Sequence, residues 1–386
     1  MKQEQVGRVQ RRRERAEASR QRLRRWFDEG NCPGGAVFTK PSSIAWVTGG
    51  TGQPVDRSAG SDPIWVVVNK ATTAVITTEV ELNRVEMEFD LKASGVEEVI
   101  AVPWFDPLAF VATAEQLLGS AANAISSDGH RSFGVDVEDE LIALRLQLSA
   151  PEIEDLKRLG ADAAFALESA VLNWRPGERD FDVQARLCGL LEERGVYAPI
   201  MIVGGDERVK SYRHPVAIGD PVSRLLMAVV VATRDGLHVA ATRFASAGPL
   251  DAGLKVGLQS VLNIQDRVLS SCRPGTTYGS ALAELDRAYE QEGFPQGWKS
   301  HYQGGPIGYE QREFEIAPCQ KSSRWYHQVI ETFHAVAWNP SLPGGAKAED
   351  TYVVGEHGVE RVTGSTAWPQ QATDGAAPSR PTVLEV

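Results

Sequence analysis

The sequence predicts an α+β protein built in two parts. Three observations predict it. Between Gly34 and Leu148, short β-branched or aromatic runs alternate with helical patterns, which indicates a self-contained α/β domain. At Ala150-Pro151-Glu152, a proline in a first helical turn with acidic residues behind it opens a new, longer helix. From Gly308 onward the pattern is mostly strand-like. The expected domains are therefore 1–148 and 149–370. A tail at 371–386, rich in Ala, Pro, Ser, Thr and Gly, has little to bury and is expected to be disordered.

The elements follow in order. Residues 5–30 read as one helix, with Leu23, Trp26 and Phe27 spaced i, i+3, i+4. Eight arginines between Arg11 and Arg25 make it basic, with Glu14 and Glu17 interleaved at ion-pair spacing. A solvated helix face on an acidic protein accounts for them; a nucleic-acid or membrane role is the alternative. Strands are expected at 35–38, 44–47, 64–68, 74–77, 98–102 and 132–136, and helices at 79–89, 106–118 and 138–148. The second part begins with helices at 151–172 and 180–194, separated by Arg175-Pro176-Gly177. Strands at 198–203, 224–233 and 237–244 come next, the last two joined by a turn at Arg234-Asp235-Gly236. Helices at 250–271 and 277–292 precede strands at 308–316, 329–339, 350–354 and 360–363.

Composition narrows the function. The 386 residues carry a net charge of −11, which argues against a broad nucleic-acid footprint. Cys32, Cys188, Cys272 and Cys319 are far apart and form no CxxC pair, so reduced thiols are expected rather than a zinc site or a disulfide framework. The longest apolar run, 225–232, is far short of the roughly 20 residues a membrane span needs. The arginine-dense N-terminus has no apolar signal core. A cytoplasmic protein with no membrane or nucleic-acid partner is the expectation.

Several motifs carry a family resemblance. Pro151-Glu-Ile-Glu-Asp-Leu-Lys157 followed by Arg175-Pro-Gly-Glu178 resembles the creatinase, prolidase and aminopeptidase P family of pita-bread proteins. Ile44-Ala-Trp-Val-Thr-Gly49 resembles a strand of that family's N-terminal domain, and Glu349-Asp350-Thr351 with Val354 and Gly358 its closing strand. The resemblance spans about residues 5–370. It implies a creatinase-like α/β domain followed by a pita-bread domain resembling methionine aminopeptidase, and a homodimer.

The resemblance also implies a metal site, and here the chain departs from the pattern. The family holds two divalent ions with two hairpin aspartates eleven residues apart, a histidine in a Gly-His-Gly-x-Gly turn and two later glutamates. The matching positions are Val229, Ala240, Gly305, Asn339 and Glu349, so a single ligand-type side chain is left. No metal and no cofactor are expected.

What remains is polar. His214, in Tyr212-Arg-His-Pro215, matches a family histidine that resembles creatinase's metal-free acid/base, although an idle loop histidine explains it too. Arg312 stands where a second family histidine is usual, seven residues after Gly305 and before Glu313. It is read as a clamp for a carboxylate or phosphate, or as a salt bridge to Glu349, Glu313 or Glu310. His301, Gln303 and Tyr309 flank the glycine turn as pocket lining. Asn339 is a hydrogen-bonding substitute for a metal ligand. Arg243 follows the old aspartate position as a substrate contact or a structural cation, and Glu349 orients cations or binds an amine.

The leading expectation is a metal-independent enzyme that hydrolyses, eliminates or cyclises at a C–N bond of a small amino-acid-like or amide substrate. His214, Arg312, Glu313 and Glu349 are its catalytic candidates; His301, Gln303, Tyr309, Asn339 and Arg243 are its binding candidates. The alternatives are a non-catalytic pseudo-peptidase that binds a peptide or protein and, lastly, a metal-dependent Xaa-Pro aminopeptidase.

Overall fold

The computed structural model describes the whole chain except residues 1, 33, 51–54, 58–63, 130–133, 366 and 373–377. Its backbone divides into two units, Met1–Asp155 with Asp235–Leu237, and Leu156–Arg234 with His238–Val386. The division falls inside the helix Ala150–Leu172 rather than before it.

In the first unit, Lys2–Asp28 is a single helix. Arg13, Arg24 and Arg25 are exposed, but other arginines of the helix are bonded within the unit. Arg15 is fully buried and donates to an Asp155 carboxylate oxygen at 3.3 Å and to the Asp235 carbonyl at 2.8 Å. Arg8 grips the Asp235 carboxylate with two bonds of 2.6 and 2.8 Å. Arg12 donates to the Gly50 and Phe89 carbonyls, and Arg20 to the Ser94 carbonyl and Glu17. A guanidinium has five donors and no acceptor, so it can serve several carbonyls at once where chain segments converge. Part of the basic pattern is therefore used in internal bonding, and the rest is a solvated face.

The sheet of this unit has six strands. Ile64–Val68 lies between antiparallel neighbours Ala36–Phe38 and Thr73–Thr78, and Glu98–Val102 adds parallel to the latter. Ser126–Ser127 and Val135–Asp136 extend the other side in parallel. The first half of the strand expected at 132–136 lies outside the described residues. Val37, Val67, Ile76 and Val102 form the core with Ala114 of the helix Ala109–Leu118. One expectation fails. Residues 44–47 belong to a helix, Pro41–Thr48. Pro41 preorganises its first turn, and Gly49 closes it at φ 72° with its N–H on the Ala45 carbonyl. A Cβ at Gly49 would lie 2.0 Å from the Arg12 carbonyl, so glycine is required there. Because Ser42–Thr48 is buried throughout, its apolar run has no period by which to distinguish helix from strand.

The second unit has two four-stranded sheets. The hairpin Leu225–Arg234 and Leu237–Ser246 lies between Tyr197–Gly205 on one side and Leu384–Glu385 on the other. The second sheet orders Gly304–Pro306, Ala335–Trp338, Tyr352–Val354 and Val359–Arg361, antiparallel throughout. Helices Ala252–Ser271 and Tyr278–Gln291 each bury one apolar stripe. Residues 308–316 are not a strand, because the buried Glu313 carboxylate accepts the Tyr309 and Glu310 N–H groups and curls the segment into a loop. The described part of the tail is ordered rather than disordered. Leu384 and Glu385 pair in parallel with Ala245 and Ser246, and buried Arg380 donates to the Tyr352 hydroxyl at 2.6 Å and pairs with Asp266. Among the described residues, no helix is long and apolar enough to cross a membrane.

Candidate functional site

The site is assembled from three loops of the second unit. The first carries His214. Its start is the short helix Asp206–Ser211, and its ends are held by two aspartates. Buried Asp180 accepts the Ile218 and Gly219 N–H groups at 3.1 and 2.7 Å, while Asp206 accepts those of Ser223, Arg224 and Leu225 at 2.8 Å each. Arg213 ties the middle of the loop to the Leu342 carbonyl at 2.5 Å and the Ser300 hydroxyl at 3.2 Å.

The second loop carries His301. Gln303 holds it, donating from Nε2 to the His301 and Trp298 carbonyls at 2.8 and 3.0 Å while its Oε1 accepts from the Tyr289 hydroxyl at 2.9 Å. Gly304, at φ 87°, follows, and a Cβ there would lie 2.1 Å from the Ala337 carbonyl. Only glycine lets this strand pair as closely as it does with Ala335–Trp338.

These loops bring the two histidines together. His214 Nε2 and His301 Nε2 are 3.2 Å apart, and His301 Nδ1 lies 2.5 Å from the Tyr302 carbonyl. A carbonyl oxygen only accepts, so His301 Nδ1 carries the proton. A neutral His301 then presents a bare Nε2, and His214 must donate to it from its own Nε2. The free nitrogen of the pair is His214 Nδ1. Burial, followed by the charge of Lys347, lowers the His301 pKa to about 4. The same two causes lower that of His214. Both rings are therefore neutral near pH 7, as this hydrogen-bond pattern requires.

The third loop runs from Asn339 to Glu349. An isolated bridge sets Ser341 opposite Lys347, and Leu342 N–H bonds the Ala346 carbonyl across the turn. The Lys347 ammonium lies 3.5 Å from Glu349 Oε2, which also accepts the Thr242 hydroxyl at 3.0 Å. Both Lys347 and Glu349 are only 6% exposed. Among the described residues Ser341 Oγ and Asn339 Oδ1 have no hydrogen-bond partner, though these residues are 2% and 5% exposed. His301, Ser341, Lys347, Arg213 and Tyr212 line one narrow cleft. Lys347 also borders a larger cavity of about 260 Å³, together with Thr242, Glu349, Leu258, Leu262 and tail residue Val383.

Other residues singled out from the sequence are engaged elsewhere. Arg243 does not reach Glu349. It is buried and committed to Glu168 at 2.9 Å and Asp350 at 3.0 Å, with further bonds to the Thr242 and Thr363 carbonyls, so four of its five N–H groups are used within the fold, and it borders the larger cavity. Arg312 is partly exposed and pairs with Glu315 at 3.3 Å, not with Glu349, Glu313 or Glu310. Glu313 caps the loop backbone, and Tyr309 is buried beside it. Gln303 is a brace for His301. The sequence marks Ser341 and Lys347 only as polar groups bracketing a Gly344-Gly345 loop, and Arg213 only as the neighbour of His214, with no site role for any of them. Lys347 and Ser341 flank the Gly344-Gly345 turn, and that turn was the available signal.

The residues present do not fit a pair of metal ions. Val229 and Ala240 are buried without a donor, Gly305 has no side chain, and Asn339 is uncharged. The one carboxylate, Glu349, already faces an ammonium and a hydroxyl. Among the described residues no group of three or more His, Cys, Asp or Glu is placed to hold a metal.

Comparison with known proteins agrees with the fold. No curated protein sequence matches the chain. Among solved structures, an Xaa-Pro dipeptidase from Bacillus anthracis superposes with a TM-score of 0.72 at 21% identity, covering 96% of this chain and 100% of that one. Dipeptidase PepE from Mycobacterium ulcerans gives 0.71 at 18%, covering 98% of each chain. The N-terminal domain of FACT complex subunit SPT16 from chickpea, Cicer arietinum, gives 0.65 at 13%, covering 90% of this chain and 96% of that one. The pita-bread architecture is thus common to peptidases and to a domain of a protein complex. The model of metallopeptidase family M24 matches residues 154–356, which hold all three site loops and more than half of the chain, and the protein belongs to that family.

Proposed function

We propose that this M24 protein is a metal-independent enzyme that acts on a small amino-acid-like or amide substrate, breaking or rearranging a C–N bond with His214 as the proton carrier. The observation that carries this reading is the His214–His301 pair, 3.2 Å between Nε2 atoms, with His301 anchored on the Tyr302 carbonyl. The anchor leaves His214 Nδ1 as the bare nitrogen and fixes its ring. His214 is an exposed residue whose pKa partial desolvation and then the charge of Lys347 lower, so a proton taken up there can be passed on to a leaving nitrogen. A cytoplasmic homodimer forms part of the proposal, and light scattering of the purified protein checks the dimer.

The test is turnover of a panel of amino-acid amides and dipeptides, followed by mass spectrometry in the presence of a chelator. Wild-type protein is expected to convert at least one member, and His214→Asn to lose about 10²–10⁴-fold in rate. Turnover that needs added manganese or zinc would overturn the metal-free reading. A second reading, a binding-only protein, is favoured by the shared fold of the FACT subunit domain. It gains if wild-type protein converts nothing yet captures a peptide.

A further inference from the structure

We propose that the narrow cleft between the His214 loop and the Ser341–Lys347 loop is a binding site for one monatomic anion, a halide such as chloride, held by Lys347, Arg213 and the Ser341 hydroxyl. The inference goes beyond the functional reading above and does not depend on whether the histidine pair is catalytic.

Size, donors and charge carry it. The cleft has room for about one water molecule, so a water or a halide fits and a carboxylate, phosphate or sulfate does not. Its walls are held in place. Ser341 faces Lys347 across a bridge, and the Leu342–Ala346 hydrogen bond closes the loop between them. Gly345 sits at φ 96°, where a Cβ would lie 2.9 Å from the carbonyl of Val209 on the opposite wall. Arg213 pins the two loops together at the Leu342 carbonyl, 2.5 Å away.

The polar groups of these walls are donors. The Tyr289 hydroxyl fixes the Ser341 backbone, accepting its N–H at 3.0 Å, yet Ser341 Oγ is left without a partner among the described residues. A buried hydroxyl in that state is costly, and an anion accepts its proton. The Lys347 ammonium has three N–H groups and one ionic contact, at 3.5 Å. Arg213 uses two of its five N–H groups, on the Leu342 carbonyl and the Ser300 hydroxyl. Among the described residues no carboxylate lines the cleft, and Glu349 borders only the larger cavity. Lys347 and Arg213 thus bring two positive charges, and among the described residues Glu349 is the one carboxylate paired with either. One positive charge is left over. A monovalent anion balances it and a water does not. The ion also offsets the Lys347 charge that, after burial, lowers the pKa of both His301 and His214.

The test pairs crystallography with solution stability and needs no turnover. Crystals of the wild-type protein soaked in sodium bromide should show an anomalous scattering peak in the cleft, at hydrogen-bonding distance from Ser341 Oγ and Lys347 Nζ. In solution, sodium chloride exchanged for sodium gluconate at constant ionic strength should raise the melting temperature along a saturating curve. Ser341→Ala, which removes one donor to the ion, should shift the half-saturating chloride concentration upward about tenfold. Because Lys347→Met alone strands Glu349, the double variant Lys347→Met with Glu349→Gln is used, and it should lose the chloride effect. A cleft without a bromide peak holds water, and that result overturns the inference. So does a bromide peak with no saturable stabilisation in solution, which marks an adventitious ion only. A chloride effect of the same size and midpoint in Ser341→Ala as in wild type is a general salt effect and overturns it as well.

Discussion

The histidine pair has a direct consequence for acid stability. Folding lowers the pKa of His301 to about 4 and also lowers that of His214, from an ordinary value near 6.5. The unfolded chain therefore takes up protons first as pH falls. The contribution of the pair is complete above about pH 6.5 and is lost as pH drops toward about 4. Denaturant unfolding at a series of pH values should show this decline on the order of 1–2 kcal/mol, less than the full shift implies because the rings are partly exposed. In His301→Phe the decline should be mostly absent. The two arginines taken from the sequence should part company in the same assay. Arg243→Met leaves Glu168 and Asp350 buried without their cation and should cost about 3–5 kcal/mol. Arg312→Ala breaks a partly exposed pair with Glu315 and should change stability by no more than about 0.5 kcal/mol. If Arg312→Ala instead removed ligand binding with the fold intact, the clamp reading from the sequence would return.

Among the elements, the tail departed furthest from expectation. Its composition looked too polar to bury, yet Leu384 and Glu385 complete the edge of the hairpin sheet and Arg380 is inserted beside Tyr352 and Asp266. Composition could not show this, because a two-residue edge strand gains its stability from backbone bonds to a partner more than a hundred residues away. Burial holds the Arg380 pKa down at about 10, and the guanidinium pairs with Asp266 and donates to the Tyr352 hydroxyl. Deleting residues 380–386 should lower stability by about 2–4 kcal/mol and open the cavity that Val383 lines; thermal melts and amide exchange across Ala245–Ser246 are the readouts. A melting temperature unchanged by the deletion would mean the strand adds nothing. The helix at Pro41–Thr48 failed as a strand prediction for a related reason: it is buried all round, so its sequence carries no period.

Taken whole, the molecule is an M24 chain whose donor set does not suit metal. Purified protein should contain no stoichiometric manganese, cobalt or zinc by elemental analysis, and a chelator should leave its melting temperature unchanged. A bound metal that a chelator removes with loss of stability would show that other residues supply ligands. The physical basis is local charge. The family places cations among several carboxylates, whereas this chain places one ammonium, Lys347, against one carboxylate, Glu349.

The family, the two-part α+β architecture and the vacated ligand positions were legible in the residue order, because hydrophobic period, turn chemistry and motif spacing are all local properties. His214 and His301 were legible as candidates in the same way. Their tautomers, their 3.2 Å approach and the commitment of Gln303, Glu313 and Arg243 to internal bonds were not, since each depends on which loops converge. Arg243 and Lys347 show the difference. Both are cations beside a motif, and nothing in their sequence neighbourhoods separates them. In the fold Arg243 meets two carboxylates and two carbonyls that take four of its five donors, while Lys347 meets one carboxylate at 3.5 Å and stands opposite Ser341. The carboxylate partners of Arg243 lie 75 and 107 residues away in sequence and that of Lys347 only two, so packing, rather than the neighbouring residues, decides how fully each charge is neutralised.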